Sequence, residues 1–555
     1  MAGRTSRVTH TLFAGAIAGW LASVTLFSTA ATQAQPPAVG QAAASAPLFD
    51  TSHNCMACHN SLFTTSGEDI SIGTSWRATM MANSSRDPYW QAAVRREVMD
   101  HPAATADIEH ECGVCHMPMA HTQAMALGRK GVIFAHLPVG VAAAPEALLA
   151  ADGVSCTACH QITAEKFGTP ASFTGGFVID TAPGPGPRAI FGPYPVQAGQ
   201  TGIMHSATGF TPVESQHVRQ SELCATCHTL FTHPLGPGNE TAAPFPEQVP
   251  YLEWRHSAFA NERSCQSCHM PVVNEPARMA SVFGELRDGI ARHSFRGGNF
   301  FMLRMLNRYR NELGVEATPL ELDGAVRDTL QHLSSESATV AIERAQRIDG
   351  RIVLDVNVAN LSGHKLPTGY PSRRAWLHLT VRDGSGGVVF ESGAVSPDGR
   401  IAGNDNDADG SRLEPHHREI RRADDVQIYE AIMADRSGAV TTGLLQATRY
   451  LKDNRLLPRG FDKRTADADV AVQGAAREDE DFTDAGDRIR YSIDPSAAQG
   501  PFTVDVELLF QPIAFRWAQN LAGYDAPETT RFVGYYRSMA ASSHARLARA
   551  TTHVR

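Results

Sequence analysis

From about Ser337 onward the chain alternates. Ile352, Leu354, Val356 and Val358 are separated by mostly polar neighbours, as are Leu377, Leu379 and Val381, and again Val504, Val506, Leu508 and Phe510. A period of two predicts strands with one buried face. Asp383-Gly-Ser-Gly-Gly387 lies between two such runs, as a hairpin turn would. Residues 337–540 are therefore expected to form an immunoglobulin-like β-sandwich, with strands inside 337–515 and large insertions between about Ser396 and Ala498. The stretch 541–555 reads as a polar tail.

Just upstream the period is helical. Met302, Met305, Leu306, Tyr309 and Leu313 share one face and Gly314 follows as a C-cap. Thr318-Pro319 opens a second helix carrying Leu322, Val326, Leu330 and Leu333, so 301–336 is expected to be a helical connector. Between 48 and 300 neither period persists, and Pro170 to Pro195 is rich in Gly and Pro. That region is expected to be mainly helical, with little regular structure. The fold class is α+β, in several domains.

Chemistry enters with the cysteines. All ten fall in five Cys-x-x-Cys-His pentads: Cys55-Cys58-His59, Cys112-Cys115-His116, Cys156-Cys159-His160, Cys224-Cys227-His228 and Cys265-Cys268-His269. This is the attachment signature of a c-type haem, two thiols for the porphyrin vinyls and an adjacent His as proximal iron ligand. Structural zinc needs no trailing His, and disulfides need neither the spacing nor the His. Five haem c groups are expected, packed so densely that the porphyrins supply much of the apolar mass of residues 48–300.

Export agrees with that chemistry. Residues 1–34 carry Arg4 and Arg7, an apolar run from Thr11 to Phe27 and a small-residue exit to Ala34. They read as a signal peptide cleaved before Gln35, the alternative being an uncleaved anchor. The expected location is periplasmic or extracellular, with no membrane span after cleavage. A formal charge of -9 over 555 residues carries no basic nucleic-acid stripe. Redox proteins are the expected partners, and a homo-oligomer or filament is compatible with the sequence.

The second axial ligand of each iron separates wire from enzyme, because an open position can bind substrate. Candidates are His293 in a Gly-rich stretch, His217 and His256 just before pentads, and His110 and His53 two residues before one. Met81 and the distant His364 complete the set. Asp405, Asp407 and Asp409 begin like a calcium loop, although His416 stands where an EF-hand has Glu. The pair His416-His417 reads as a surface pair with metal binding as the alternative.

Certain stretches carry a resemblance. His53-Asn-Cys-Met-Ala-Cys-His59, Trp76 to Trp90 and Ser221-Glu-Leu-Cys-Ala-Thr-Cys-His228 resemble bacterial multihaem cytochromes c, a grouping related to nitrifier tetrahaem cytochromes and hydroxylamine oxidoreductase. Relatives carry Trp-x-x-Ser-x-His with a distal His; here Trp76-x-x-Thr79-x-Met81 points to Met81 instead. Ser362-Gly-His-Lys-Leu-Pro-Thr-Gly-Tyr-Pro371 is similar to a loop found behind such haem regions, which implies His364 as a distal ligand. Five haems with enough candidate ligands to close every iron point to electron transfer, while the hydroxylamine oxidoreductase relationship favours the competing expectation. The competing expectation is an oxidoreductase acting on a small nitrogen or sulfur compound at one open haem.

Overall fold

The structure, a computed structural model, describes residues 47–555 apart from 183–187, 237–241 and 497. The expected leader, 1–34, lies outside the described residues.

The N-terminal region is built from short helices and loops. Its longest helix, α1 (Pro88–Asp100), starts where the Asp87 carboxylate accepts the N–H groups of Tyr89 and Trp90 and Pro88 occupies the first turn. Next comes α2 (Thr105–His116), which ends in the second pentad. Beyond the Gly/Pro segment, strand β1 (Arg188–Gly192), helix α3 (Ala198–Thr208) and strand β2 (Phe210–Glu214) form a small parallel unit. The loop expected to run to Pro195 thus ends in a strand.

Helix α4 (Phe300–Arg308) departs from the expected connector. Phe300, Phe301, Met302, Met305 and Leu306 are fully buried, so the helix lies inside the main core rather than between domains. It stops at Arg308, ahead of Gly314. Helix α5 (Pro319–Glu336) begins as expected, with a capping box between Thr318 and Glu321.

Two sheets follow. One holds β3 (Ala338–Ile348), β4 (Arg351–Asn360), β7 (Glu419–Ile420) and β11 (Asp487–Ile493), in the order β7-β11-β4-β3. The other runs β9-β8-β5-β12-β13, from β9 (Val440–Thr441), β8 (Ile428–Ala434), β5 (Arg374–Arg382) and β12 (Phe502–Gln511) to β13 (Ala545–Val554). Strand β6 (Val388–Ser392) adds to β5 and β10 (Arg449–Asp453) to β8. Ile352, Leu354, Val356 and Val358 from the first sheet share one core with Leu377, Leu379, Val504 and Val506 from the second. The β5–β6 hairpin closes through Asp383, whose carboxylate accepts the N–H groups of Ser385 and Gly387.

Two expectations are corrected here. The stretch between Ser396 and Ala498 is no insertion, because it supplies β8 and β11, interior strands of both sheets. Strand β8 is buried at all seven positions, so it shows no alternation. The tail is not a tail either: β13 pairs antiparallel with β12 from Phe502–Val554 to Phe510–Ala545. Its inward residues are mostly small, while Arg546 and Arg549 face Glu507 and Asp505 across the pair. Removing 545–555 should destabilise the protein by about 3 kcal/mol or more, from Leu547 and Val554 alone. Urea unfolding of the truncated chain reads this; an unchanged midpoint would restore the tail.

Candidate haem-binding site

Each pentad sits on a short helical turn. His59, His160 and His228 each donate a backbone N–H to the carbonyl of the first Cys of their pentad, at 2.9, 3.0 and 2.9 Å. One turn therefore brings both thiols and the imidazole to one face. Four pentads line an internal cavity of about 860 Å³, and the fifth reaches it through Gln266 and Met270. All ten cysteines are free.

The imidazoles are oriented in a telling way. Nδ1 of His59 lies 2.6 Å from the Met279 carbonyl oxygen, that of His160 2.6 Å from Phe191 and that of His116 3.2 Å from Ser84. Nδ1 of His269 bonds the Arg296 carbonyl. A carbonyl only accepts, so Nδ1 carries the proton and Nε2 keeps its lone pair, as in metal-ligating histidines. Burial pushes His116 and His269 down to about 4, which keeps both neutral at pH 7. Burial also pushes the Cys159 thiol up to about 12. Among the described residues the cysteines form no cluster of three or more donors that could hold a zinc ion. The pentads fit haem c.

Neighbouring pentads touch through their thiols. Cys55 adjoins Cys156, Cys115 adjoins Cys227, and Cys224 adjoins Cys265. Cys159 in turn feels the charge of Cys227. The fourth pentad thus neighbours the second, the third and the fifth, while the first neighbours the third.

Two distal candidates meet their proximal partners. With metal–imidazole bonds of about 2.0 Å, two rings sharing one metal through Nε2 have centres roughly 6 Å apart. The rings of His160 and His293 are 6.2 Å apart at 22°, and those of His269 and His364 6.2 Å apart at 11°. His293 and His364 both turn Nδ1 to a carbonyl, of Ala291 at 3.2 Å and Lys365 at 2.9 Å. Burial pushes His293 down to about 3.

The other candidates fare differently. His217 has both nitrogens engaged, Nε2–H donating to the Ile162 carbonyl at 2.8 Å and the Nδ1 lone pair taken by the Ser215 hydroxyl at 2.6 Å, which leaves no lone pair free. His256 faces Asp467 at 3.1 Å, and His53 is an exposed ring 3.5 Å from Glu316. Nδ1 of His110 accepts from Gly131 N–H at 3.2 Å and lies 2.9 Å from Nε2 of His121. Among the described residues none of these four forms a ring pair with a pentad histidine of the kind that His293 and His364 form. Met81 lines the cavity beside Met80. One ring escaped the sequence reading: His332 on α5 lies 6.1 Å from His269, with Nδ1 turned to Glu336 at 3.5 Å. Nothing local to α5 marks it.

The calcium expectation is corrected. Asp407 forms a bidentate pair with buried Arg374, both contacts at 2.9 Å, and accepts the Ile401 N–H. Asp405 pairs with Arg412 and Asp409 accepts from Ser411, so the three carboxylates do not converge. His416 is buried, not on the surface. Its Nδ1 accepts from the Gln427 and Asn454 amides, which leaves Nε2 as donor to Asp479 at 3.1 Å and argues for a hydrogen-bond network over a metal site.

The His364 loop spans residues 361–373, between β4 and β5, and docks on the pentad region. Glu253, from the segment before the fifth pentad, accepts Lys365 N–H at 3.1 Å and the Thr368 hydroxyl at 2.5 Å. Its other oxygen meets Arg455 at 2.7 Å, and Arg455 and Lys365 share Asp453 at 2.8 and 2.7 Å. The four side chains are nearly fully buried and their charges balance.

No family model and no curated protein matches this chain. Among solved structures it is similar to a penta-haem cytochrome c552 from Thermochromatium tepidum, at 15% identity and a TM-score of 0.49. The match covers 92% of this chain and 100% of that one.

Two predictions follow from this geometry. His293→Ala and His364→Ala should each convert one low-spin haem to high spin and let it bind carbon monoxide, whereas His217→Ala should change neither property. Electron paramagnetic resonance reads the low-spin count, and an unchanged count in folded His364→Ala protein would remove that ligand. The second concerns Glu247, which lines the cavity. Burial first, and the Glu97 charge second, push it up to about 8. A raised acid holds its proton when folded and releases it when unfolded, so stability should fall as pH rises from about 4.5 to about 8, by up to about 5 kcal/mol. Urea unfolding at both ends of this window should show the slope lost in Glu247→Gln; an equal slope would contradict it.

Proposed function

We propose that the chain is a multihaem cytochrome c that transfers electrons in the periplasm or outside the cell through five covalently held haems. The observation that carries this is the imidazole orientation: four pentad histidines spend Nδ1 on a carbonyl and keep Nε2 for a metal. Haem c supplies a one-electron iron couple when bound. The chain's own residues do the rest. The ten pentad cysteines anchor porphyrin edges, the pentad histidines ligate from one side, and His293 and His364 ligate from the other. Met81 is read as the thioether donor near the first pentad.

The thiol neighbours support a branched path, with the fourth pentad adjoining the second and fifth through paired thiols and feeling the third only through charge. Residues 48–300 are read as the haem domain and the sheet pair as an immunoglobulin-like sandwich docked upon it. Relation to nitrifier tetrahaem cytochromes and hydroxylamine oxidoreductase rests on the Trp76 and Ser221 stretches. No helix among the described residues is long and apolar enough to cross a membrane. Redox proteins are the proposed partners, and further copies of this chain are a second class.

Intact mass with haem-stained denaturing gels should report five covalent haems, and a count below four would end the proposal. If the chain is a carrier, every iron is closed, those at His116 and His228 by ligands other than the ones named above, and carbon monoxide added to the reduced native protein should leave its spectrum nearly unchanged. A stoichiometric shift at one haem would instead assign the chain to the small-molecule oxidoreductases.

A further inference from the structure

We infer that Arg373 is the counter-ion of a carboxylate-type oxyanion seated in the central cavity beside the fourth and fifth pentads. The porphyrin source of that anion rests on the cytochrome reading; a free small oxyanion is the other source of the same chemistry.

Arg373 closes the loop that carries His364, one residue before the partner of Asp407. Its backbone N–H bonds the Tyr370 carbonyl at 3.3 Å, a turn that sends the side chain to the cavity wall. Gly369 sits at a φ of +82°, and a Cβ there would stand 3.0 Å from Arg373 Nη1. Only glycine suits both conditions. The guanidinium donates one hydrogen bond, from Nη1 to the Thr368 carbonyl at 2.8 Å. Among the described residues no carboxylate lies within ion-pair distance of it. Burial lowers its pKa to about 10, with no opposing negative charge.

Its neighbours show how unusual that is. Arg374 has Asp407, Lys365 has Asp453, Lys452 has Glu430, and Arg455 has both Asp453 and Glu253. Each of these deeply buried cations is matched by a carboxylate, as burial of charge demands, whereas Arg373, half-buried on the cavity wall, has none among the described residues. Five carboxylates line the same cavity, and none is within ion-pair distance of Arg373: Asp87 caps α1, Glu97 accepts the N–H groups of Leu444 and Leu445, Glu285 pairs with Arg287, burial favours the neutral form of Glu247, and Glu111 makes no ion pair with Arg373. Arg373 stands on the loop whose His364 ring lies 6.2 Å from that of His269, and it lines the cavity together with His228, which places the missing anion near the fourth and fifth pentads. A planar guanidinium with its Nε and Nη2 donors free fits a planar carboxylate at two points.

The test uses the full haem-loaded chain. Arg373→Gln should lower the midpoint potential of one haem and leave the others in place, because a positive charge that favours the reduced iron is gone. Arg373→Lys keeps the charge but loses the fork, so it should restore most of the potential. It should also shift one propionate-bending band in resonance Raman spectra. If the wild-type potentials ignore added inorganic phosphate and acetate, the anion is a porphyrin propionate. A saturable shift on adding either, absent in Arg373→Gln, assigns a free oxyanion. Unchanged potentials in Arg373→Gln, with no anion response and no Raman shift in Arg373→Lys, would overturn the inference. Should Gln at this position prevent assembly, the Lys variant decides by its Raman band alone. Haem count by mass in the same samples reports separately on the cytochrome reading.

Discussion

A carbonyl oxygen that accepts from one nitrogen of an imidazole leaves the other with its lone pair free, and the haem region depends on this. Four pentad histidines and the two proposed distal rings, His293 and His364, are fixed this way. The carbonyls come from Met279, Ser84, Phe191 and Arg296, all remote from the pentads they serve. Backbone that looks irregular is therefore positioned chain. A region with few long helices and a large internal cavity can still aim its imidazoles, because each aim needs one bond rather than a packed core.

The second constraint is electrostatic. Glu253 brings a negative charge from the pentad region to a pocket where Lys365, Asp453 and Arg455 await it. Removing one member of such a set strands the others, at a cost of several kcal/mol. The same contacts hold the loop bearing His364 against the fifth pentad. Gly363 allows that approach, since a Cβ there would lie 3.2 Å from Phe259 and 3.4 Å from Trp254. Position of the imidazole and docking of the two halves are thus one problem with one solution.

What the sequence revealed follows from the range of each interaction. Pentads are local, fixed by a helical turn, and were legible outright. Strands β4 and β12 alternate because one face is covered along most of their length, and they were legible too; β5 alternates in sequence although seven of its nine positions are buried. Strand β8 is covered on both faces and β13 packs small residues, so neither alternates strongly. His293 and His364 stood out because Gly and Pro around them restrict the chain. His217 looked equally good by spacing, yet Ser215 and Ile162 consume both its nitrogens. Nothing in Asp405-Asn-Asp407-Ala-Asp409 announces that Arg374 will claim the middle carboxylate. Glu253 and His332 meet partners distant in sequence, and Arg373 faces a cavity assembled from distant segments, so no local pattern points to them.

The central claim is that iron lies between specific imidazole pairs and that the fourth pentad is a junction. Anomalous scattering at the iron edge, from crystals of the mature protein, tests both at once. Five iron peaks are predicted, one midway between the rings of His160 and His293 and one midway between those of His269 and His364. The iron at His228 should have three near neighbours, those at His116, His160 and His269. Iron away from both ring pairs, or five irons in a single unbranched file, would contradict the account.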